Sequence, residues 1–243
     1  MFQTIVKIFL LVIITAAITP FIRKLAFVLG AVDNPNARRI NKKPMPTIGG
    51  LAIFVAFNIG EFVLLRKDFP THELFSVLLA SSVIILTGLI DDILELKPRQ
   101  KMFGIFVASL VVYFLAGIKV RELSLPFLGH IQLGWWSFPL TIFWILALTN
   151  AVNLIDGLDG LATGVTLISL VTMGIVGFFF LKSWQHYVPI MCIMLAACLL
   201  GFLPYNFHPA KIFLGDTGAL YIGFMISVLS LKGLKNVTFV SLL

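Results

Sequence analysis

Residues 150–164 read Asn-Ala-Val-Asn-Leu-Ile-Asp-Gly-Leu-Asp-Gly-Leu-Ala-Thr-Gly, and this polar stretch lies between two long apolar segments. It carries two asparagines, two aspartates and three glycines, which a plain connector between membrane helices does not need. Asn153, Asp156 and Asp159 recur every three residues, so a helical or 3₁₀ conformation would project them to a similar side. The glycines let a ligand approach the backbone closely. The pattern predicts a loop that binds a nucleotide and a divalent metal at a membrane surface.

The apolar segments on either side decide the fold class. The chain has 243 residues, of which 59% are hydrophobic and 12% are charged, whereas a soluble domain carries about 25% charged residues. Its apolar runs are long enough to cross a bilayer as helices, and a β-barrel would need alternating strands of about half that length. We therefore predict an all-α polytopic membrane protein.

The apolar runs predict about eight transmembrane helices and the start of a ninth at residues 236–243. No repeat or low-complexity segment divides them, so we predict a single transmembrane domain over residues 1–243. The predicted spans are 3–22, 48–65, 74–90, 102–118, 136–150, 160–181, 187–204 and 217–234. A small hairpin is predicted within 119–135, where Pro126, Gly129 and Gly134 interrupt short apolar stretches.

The basic residues indicate the orientation of these spans. Six of the 18 Lys and Arg residues follow the first span in 23–47, whereas only Lys7 precedes it. This bias predicts an N-terminus outside and a first loop in the cytoplasm, the reverse of a secretory signal. Four aromatic residues then fall at the outer interface, where such rings prefer to lie: Trp135, Trp136, Trp184 and Tyr187.

The net charge of +7 belongs to the same membrane-flanking pattern. No basic, aromatic-rich surface lies between the spans, so we expect no nucleic-acid partner. Cys192 and Cys198 are six residues apart in one apolar run and would point to different faces of a helix. This spacing predicts neither a disulfide nor a metal pair.

The acidic residues concentrate on the predicted cytoplasmic side, mostly at span ends. Seven of the eleven lie there: Asp33, Asp91, Asp92, Glu95, Asp156, Asp159 and Asp216. Four polar patches thus converge on one face of the membrane, where we predict the active site. Carboxylate and amide oxygens without thiolates or paired histidines suit Mg²⁺ or Mn²⁺ and not zinc. Metal, cations and carboxylates together suit phosphoryl transfer, and a membrane site implies a lipid substrate.

Asp91 and Asp92 form the most informative of these patches. Adjacent carboxylates at a membrane boundary repel each other unless water, a cation or a metal compensates. Adjacent helical residues diverge by about 100°, so one can face a metal or phosphate while the other orients a neighbour. A solvated helix end is the alternative. Lys101 follows closely and suits a phosphate-bearing substrate.

The remaining patches each leave two interpretations open. Asp216 either caps the eighth span or binds metal, and Phe213 is either an interfacial aromatic or a stacking platform. His208 is either a polar loop residue or a phosphate contact, and not a metal ligand. The backbone amides of Gly49 and Gly50 could attract phosphate at the start of the second span.

Four motifs together resemble one family. They are Lys43-Pro-Met-Pro-Thr-Ile-Gly-Gly50, Asp91-Asp92, the run from Asn150 to Gly160, and Phe213-Leu-Gly-Asp-Thr-Gly218. Their order and spacing resemble the polyprenyl-phosphate N-acetylhexosamine-1-phosphate transferases, glycosyltransferase family 4. The Lys-Lys-Pro-Met-Pro loop resembles the undecaprenyl-phosphate GlcNAc-1-phosphate branch, which initiates teichoic acid or O-antigen synthesis, more than the translocase that makes lipid I.

The resemblance implies an enzyme of the plasma membrane that transfers a sugar 1-phosphate from a UDP-N-acetylhexosamine to undecaprenyl phosphate and releases UMP. It implies Mg²⁺ or Mn²⁺ as cofactor and a homodimer. The implied catalytic residues are Asp91, Asp92 and Lys101, with Asp91 as a base or as an orienter of the lipid phosphate and Lys101 on the pyrophosphate. The implied metal ligands are Asn153 and Asp216. Phe213 would stack on uracil, Asp159 would bind its edge, and Asp156 and Lys43 would lie near the nucleotide.

The chain departs from the family at its end. Family members continue through further spans, and their last cytoplasmic loop carries a His-rich motif that helps to hold phosphate. This chain ends at Leu243, before that loop. We therefore expect a domain that is C-terminally incomplete relative to the family: either the sequence is a fragment of a longer protein, or the gene product is truncated and inactive.

Three alternative functions compete with this one. The same chemistry on a muramoyl-pentapeptide substrate, which yields lipid I, stays open. A secondary transporter would place its acids near the bilayer midplane, whereas these lie at span ends. A CDP-alcohol phosphotransferase needs an Ala-Arg pair, but Ala162 precedes Thr163.

Overall fold

The computed structural model of the chain describes residues 2–33, 44–64, 71–125, 129–181 and 186–234. Eight α-helices run through this described part of the chain. They are α1 (Phe2–Leu29), α2 (Gly50–Ile59), α3 (Thr71–Leu94), α4 (Pro98–Phe114), α5 (Ser137–Ile155), α6 (Leu161–Phe180), α7 (Tyr187–Asn206) and α8 (Gly215–Leu234). A π-helical turn, Gly60–Leu64, continues α2, and a 3₁₀ turn, Gly134–Trp136, precedes α5.

The helices confirm the predicted all-α membrane fold. Five helical segments are long and apolar enough to cross a membrane by length and composition: Thr4–Leu29, Thr71–Leu94, Gly134–Ile155, Leu161–Phe180 and Tyr187–Asn206. Each predicted span from the first to the eighth coincides with one helix. The predicted start of a ninth span lies outside the described residues, and the single domain stays a prediction.

Several helices are longer than the apolar runs predict, and α1 and α5 extend furthest past their predicted C-terminal ends. α1 continues through the charged residues Arg23 and Lys24 to Leu29, because helix hydrogen bonding does not stop where the apolar run ends. α5 continues to Ile155, so Asn153 lies in its last turn and not in the predicted loop 151–159. The apolar side chains of Val152 and Leu154 extend the helix past the predicted boundary at residue 150.

α8 is the central helix of the bundle. It packs against α2, α3, α5, α6 and α7, and its side chains from Leu220 to Ile222 are fully buried. Glycines allow the close approach: a Cβ atom at Gly50 of α2 would lie 2.0 Å from the Cα of Gly218. Between membrane helices, where lipid is as apolar as protein, such close backbone contact is a main source of association.

Two short antiparallel ladders lie at the ends of the bundle. β1 (Val32–Asp33) pairs with β2 (Met45–Pro46) next to the start of α2. β3 (Glu122–Leu125) pairs with β4 (Gly129–Gln132) before α5, which confirms the predicted hairpin. Trp135 and Trp136 beside this hairpin are 97% and 74% exposed, as suits interfacial rings. Trp184 lies outside the described residues.

Candidate active site

A cavity of about 490 Å³ opens where several helix ends meet. The C-terminal ends of α3, α5 and α7 and the N-terminal ends of α4 and α8 contribute to its wall, together with β1 and the segment after β2. The predicted site residues that line it are Asp91, Asp92, Lys101, Asn153, Asp156, Asp159, Phe213 and Asp216. Lys43 lies outside the described residues. The roles of all nine stay predictions.

Four of the lining side chains form one continuous network. The Nζ of Lys101, in the first turns of α4, lies 2.5 Å from Oδ2 of Asp91 and 2.7 Å from Oδ1 of Asp216. The Nδ2 of Asn153 lies 2.5 Å from the same Asp216 oxygen. The ammonium group between the two carboxylates offsets their mutual repulsion. Residues from four helices are thereby held around one point.

The end of α3 fixes the direction of Asp91. Its Oδ1 accepts a hydrogen bond from the backbone N–H of Leu96 at 2.7 Å, and its Oδ2 faces Lys101. Glu95, the residue before Leu96, has a φ of +50°, an uncommon conformation for a non-glycine residue. Strained backbone of this kind concentrates at functional sites. Glu95 and Asp33 also line the cavity, although the sequence offered no motif that singled them out.

Asp92 points to a different partner. Its Oδ1 accepts a hydrogen bond from the backbone N–H of Asp216 at 3.0 Å, and its Oδ2 accepts two from the N–H and Oγ1 of Thr217 at 2.9 and 2.5 Å. A carboxylate from α3 therefore caps the N-terminus of α8, where the helix dipole favours negative charge. The cap predicted as one alternative for Asp216 is supplied by Asp92, which leaves the Asp216 side chain to the cavity.

The segment after β2 is attached to the start of α8. Gly49 and Gly50 donate their backbone N–H groups to the carbonyls of Phe213 and Leu214 at 3.1 and 3.0 Å. Both glycines are buried, so their amides are occupied and do not attract phosphate as the sequence suggested. Gly215 has a φ of +71°, and a Cβ there would lie 1.5 Å from the carbonyl oxygen of Thr47. Only glycine fits this crossing.

The last turn of α5 and the loop after it present three polar residues to the cavity, as the three-residue spacing predicts. Asn153, Asp156 and Asp159 all line it. Burial, together with the nearby charge of Asp216, raises the pKa of Asp156 from 3.8 to about 7. Near neutral pH this carboxyl group is therefore partly protonated, which lowers the negative charge of the wall.

Asp159 connects this loop to the segment between α7 and α8. Its Oδ2 accepts hydrogen bonds from Nδ1 of His208 at 3.0 Å and from the backbone N–H of Ala210 at 3.1 Å. The sequence does not reveal this partner of His208, because the two residues are 49 positions apart and no pattern connects them.

Buried Asn206, at the end of α7, also holds the segment between α7 and α8 in place. Its Oδ1 accepts a hydrogen bond from Oγ1 of Thr163 at 2.7 Å, and its Nδ2 donates to the carbonyl of Ile212 at 3.2 Å. The next residue, Phe213, donates its N–H to the carbonyl of Pro46 at 2.8 Å. Asn206 lines the cavity but was not among the predicted residues; its only signal was an amide at the end of an apolar span.

The donor set suits a magnesium ion that completes its shell from elsewhere. Seven carboxylates and one ammonium group, that of Lys101, are among the described lining residues. Within the described ranges, no three His, Cys, Asp or Glu side chains converge into a metal-binding group. Mg²⁺ in proteins is usually held by one or two carboxylates together with water and substrate phosphates. Asp216 and the amide oxygen of Asn153 could hold it once that amide turns, because Nδ2 of Asn153 faces Asp216 in this structure.

Comparison with known proteins identifies the family of the chain. Residues 74–234 match the family described as glycosyl transferase family 4. A probable undecaprenyl-phosphate N-acetylglucosaminyl 1-phosphate transferase of Bacillus subtilis is 41% identical over 227 residues, which cover 93% of this chain and 62% of that protein. The chain thus spans less than two thirds of this relative.

Two further relatives carry a different name. A phospho-N-acetylmuramoyl-pentapeptide-transferase of Clostridium botulinum is 36% identical, over 87% of this chain and 67% of its own length. One of Bacillus velezensis is 33% identical, over 92% of this chain and 72% of its own length.

Proposed function

The chain belongs to glycosyl transferase family 4, and on that premise we propose that it transfers N-acetylglucosamine 1-phosphate from a UDP-sugar to undecaprenyl phosphate and releases UMP. The observation that carries the proposal is the network of Asp91, Lys101, Asp216 and Asn153 at one end of the bundle. The name of the Bacillus subtilis relative supports this sugar. The pentapeptide-transferases are less similar, and their substrate is the competing candidate.

The lipid phosphate supplies the nucleophile in this reaction. A phosphate monoester has a second pKa near 6 and is mostly a dianion at neutral pH. One of its oxygens attacks the sugar-bearing phosphorus of the UDP-sugar, the bond from that phosphorus to the bridging oxygen breaks, and UMP leaves with the electron pair. No strong base is needed, so Asp91 would mainly orient the lipid phosphate. Lys101 would hold the pyrophosphate.

Mg²⁺, with Mn²⁺ as a substitute, is part of the proposal. Asn153 and Asp216 would hold it, and when bound it would neutralise charge on the phosphates. The excess of carboxylates over cations on the described cavity wall supports a cation requirement, because two phosphate-bearing substrates add further negative charge.

The nucleotide would bind at the other side of the cavity. Phe213 would stack on uracil, Asp159 would accept a hydrogen bond from its edge, and Asp156 would lie near it. Phe213 is half-buried and its backbone is fixed to Pro46. Lys43 remains a proposed contact of the nucleotide.

The membrane, the orientation of the chain in it and the oligomeric state are also part of the proposal. The chain is a multi-pass membrane protein, and we place it in the plasma membrane with its N-terminus outside and the cavity on the cytoplasmic side, as the basic residues suggest. Accessibility of single cysteines to an impermeant reagent in intact cells tests this orientation. A homodimer is expected from the resemblance, and the mass of the protein in nanodiscs tests it.

Release of UMP tests the activity. Membranes containing the native-length protein should release UMP from UDP-GlcNAc only with Mg²⁺ and undecaprenyl phosphate, and more slowly from UDP-MurNAc-pentapeptide. Asp216→Ala should abolish the release. The proposal fails if UMP release needs neither lipid nor metal, or if the pentapeptide substrate is preferred.

A further inference from the structure

Two loops, residues 156–160 after α5 and 207–214 after α7, lie at the proposed nucleotide side of the cavity. Hydrogen bonds and packing contacts join them both inside the bundle and near the cavity mouth. Inside the bundle, the buried amide of Asn206 is hydrogen-bonded to both Thr163 and Ile212. Gly160, with a φ of +72°, lies against Phe207, so that a Cβ there would come within 3.3 Å of the ring. Near the cavity mouth, among the residues that the structure describes, the connection is made by the carboxylate of Asp159.

His208 supplies the side-chain half of this outer connection. The exposed fraction of its side chain is 80%, against 25% for Asp159, so the contact lies at the solvent edge of the cavity. A carboxylate only accepts hydrogen bonds, and therefore Nδ1 of His208 carries the proton that it donates. The backbone N–H of Ala210 donates to the same oxygen. Both donors therefore act on the same oxygen, Oδ2.

The remaining oxygen of Asp159 keeps its accepting capacity. No residue in the described ranges donates a hydrogen bond to Oδ1, while the side chain lines the cavity. A carboxylate accepts equally well from the N3–H of uracil or from the amino group of cytosine. Its chemistry therefore cannot distinguish these bases, and only its position can.

We propose that His208 is a positioning residue that sets the base specificity of the site, by holding Asp159 so that its second oxygen meets the N3–H of uracil and not the cytosine amino group. The inference rests on the proposed function, which assigns Asp159 to the uracil edge. Phe213 would stack on either base and supplies no such choice. Without His208, Asp159 keeps only the bond from Ala210 and can rotate.

Nucleotide binding by the native-length protein in nanodiscs tests this role. Calorimetric titration with UDP and with CDP, both with Mg²⁺, gives the preference for uracil. His208→Phe keeps a planar ring but loses the donor, and should lower the UDP preference by about tenfold, the worth of one hydrogen bond to a charged group. His208→Asn places an amide N–H where Nδ1 was and should restore it. His72→Phe, at the start of α3, is the matched control.

Two further measurements separate positioning from a general loss of structure. In turnover, His208→Phe should raise KM for the UDP-sugar while kcat stays within about twofold, because Asp91 and Lys101 are untouched. In a double-mutant cycle, His208→Phe should have little further effect on the UDP preference once Asp159→Asn is present. If His208→Phe does not fold, His208→Gln replaces it, since its amide reaches the position of Nε2 instead.

The outcomes are distinct. An unchanged UDP preference in a folded His208→Phe or His208→Gln variant overturns the positioning role, as does additivity in the cycle. If such variants lose the preference while wild type releases UMP, both the inference and the proposed function stand. If wild type neither prefers UDP nor releases UMP, both fall together.

Discussion

Lys101 lies at the point where charge in the cavity is most concentrated. It is the one cation among the described lining residues, and it contacts two carboxylates from different helices. Its removal changes two properties in opposite directions, because the same ammonium group attracts phosphate and competes with a metal for Asp216.

Lys101→Met should therefore lower UMP release by about 10²–10³-fold, the usual loss on removing one preorganised electrostatic group. Mn²⁺ should bind more tightly to the variant, since Asp91 and Asp216 lose their counter-charge. Paramagnetic resonance of Mn²⁺ measures this binding. Arg99→Met, in the first turn of the same helix but exposed, should change neither quantity. Weaker Mn²⁺ binding by Lys101→Met would contradict the argument.

Asp92 acts through the backbone of α8, and its substitution should show this. Asp92→Asn brings an amide N–H₂ against backbone donors and should lower the free energy of unfolding by about 1 kcal/mol, the worth of a helix N-cap. Activity should fall with it, because Asp216 follows the capped turn. Asp91→Asn should abolish activity with a smaller change in thermal unfolding. Equal stability of the two variants would argue against the capping role.

Asp156 makes stability depend on pH. Its pKa is raised from 3.8 to about 7 in the folded protein, so folding disfavours its ionised form. The resulting destabilisation is absent below pH 3.8, grows as the pH rises towards 7, and is fully present above 7. Asp156→Asn should thus raise the thermal unfolding midpoint more at pH 8 than at pH 5. A gain that is the same at both pH values would show that burial does not shift this group.

At the scale of elements, the contact between α2 and α8 fixes where Asp216 lies. Gly50 and Gly218 approach so closely that neither position has room for a side chain. The contact is two residues from Asp216, and the segment before Gly50 is hydrogen-bonded to Phe213. Packing of two membrane helices and geometry of the site are therefore coupled.

Gly50→Ala should lower the free energy of unfolding by about 1–3 kcal/mol, as overpacking of a tight contact does, and should reduce UMP release. Gly164→Ala on α6 is the control, because outside the backbone of its own helix no atom of the described residues lies within 4 Å of the added methyl. It should be neutral or stabilise by up to about 1 kcal/mol through helix propensity. Thermal unfolding in nanodiscs compares the two. Equal effects would show that the α2–α8 contact tolerates a methyl group.

At the scale of the whole molecule, the fold was predictable because apolar runs report membrane spans directly. The grouping of Asp91, Asn153 and Asp216 followed from the same information, since spans that alternate in direction bring every second connection to one face. The prediction that Asn153, Asp156 and Asp159 project to one side needed only the local geometry of a helical turn. These features depend on the order of segments and not on how helices rotate.

Details that depend on helix rotation and loop conformation could not be predicted in this way. The sequence left open which of Asp91 and Asp92 meets a charged partner and which orients a neighbour, because the rotation of α3 decides it: Asp91 contacts Lys101, and Asp92 caps α8. The pairing of His208 with Asp159 needs the shape of two loops. The end of α5 was misplaced, because apolar periodicity does not mark where hydrogen bonding stops.

The cavity is lined by the ends of helices and the segments that connect them, at one side of the bundle. A glycolipid made there would be left with its sugar in the same aqueous compartment that delivered the nucleotide. Export of that head group across the hydrocarbon layer would then be the task of a separate flippase, and the rate of envelope assembly would depend on how fast that second protein clears the product.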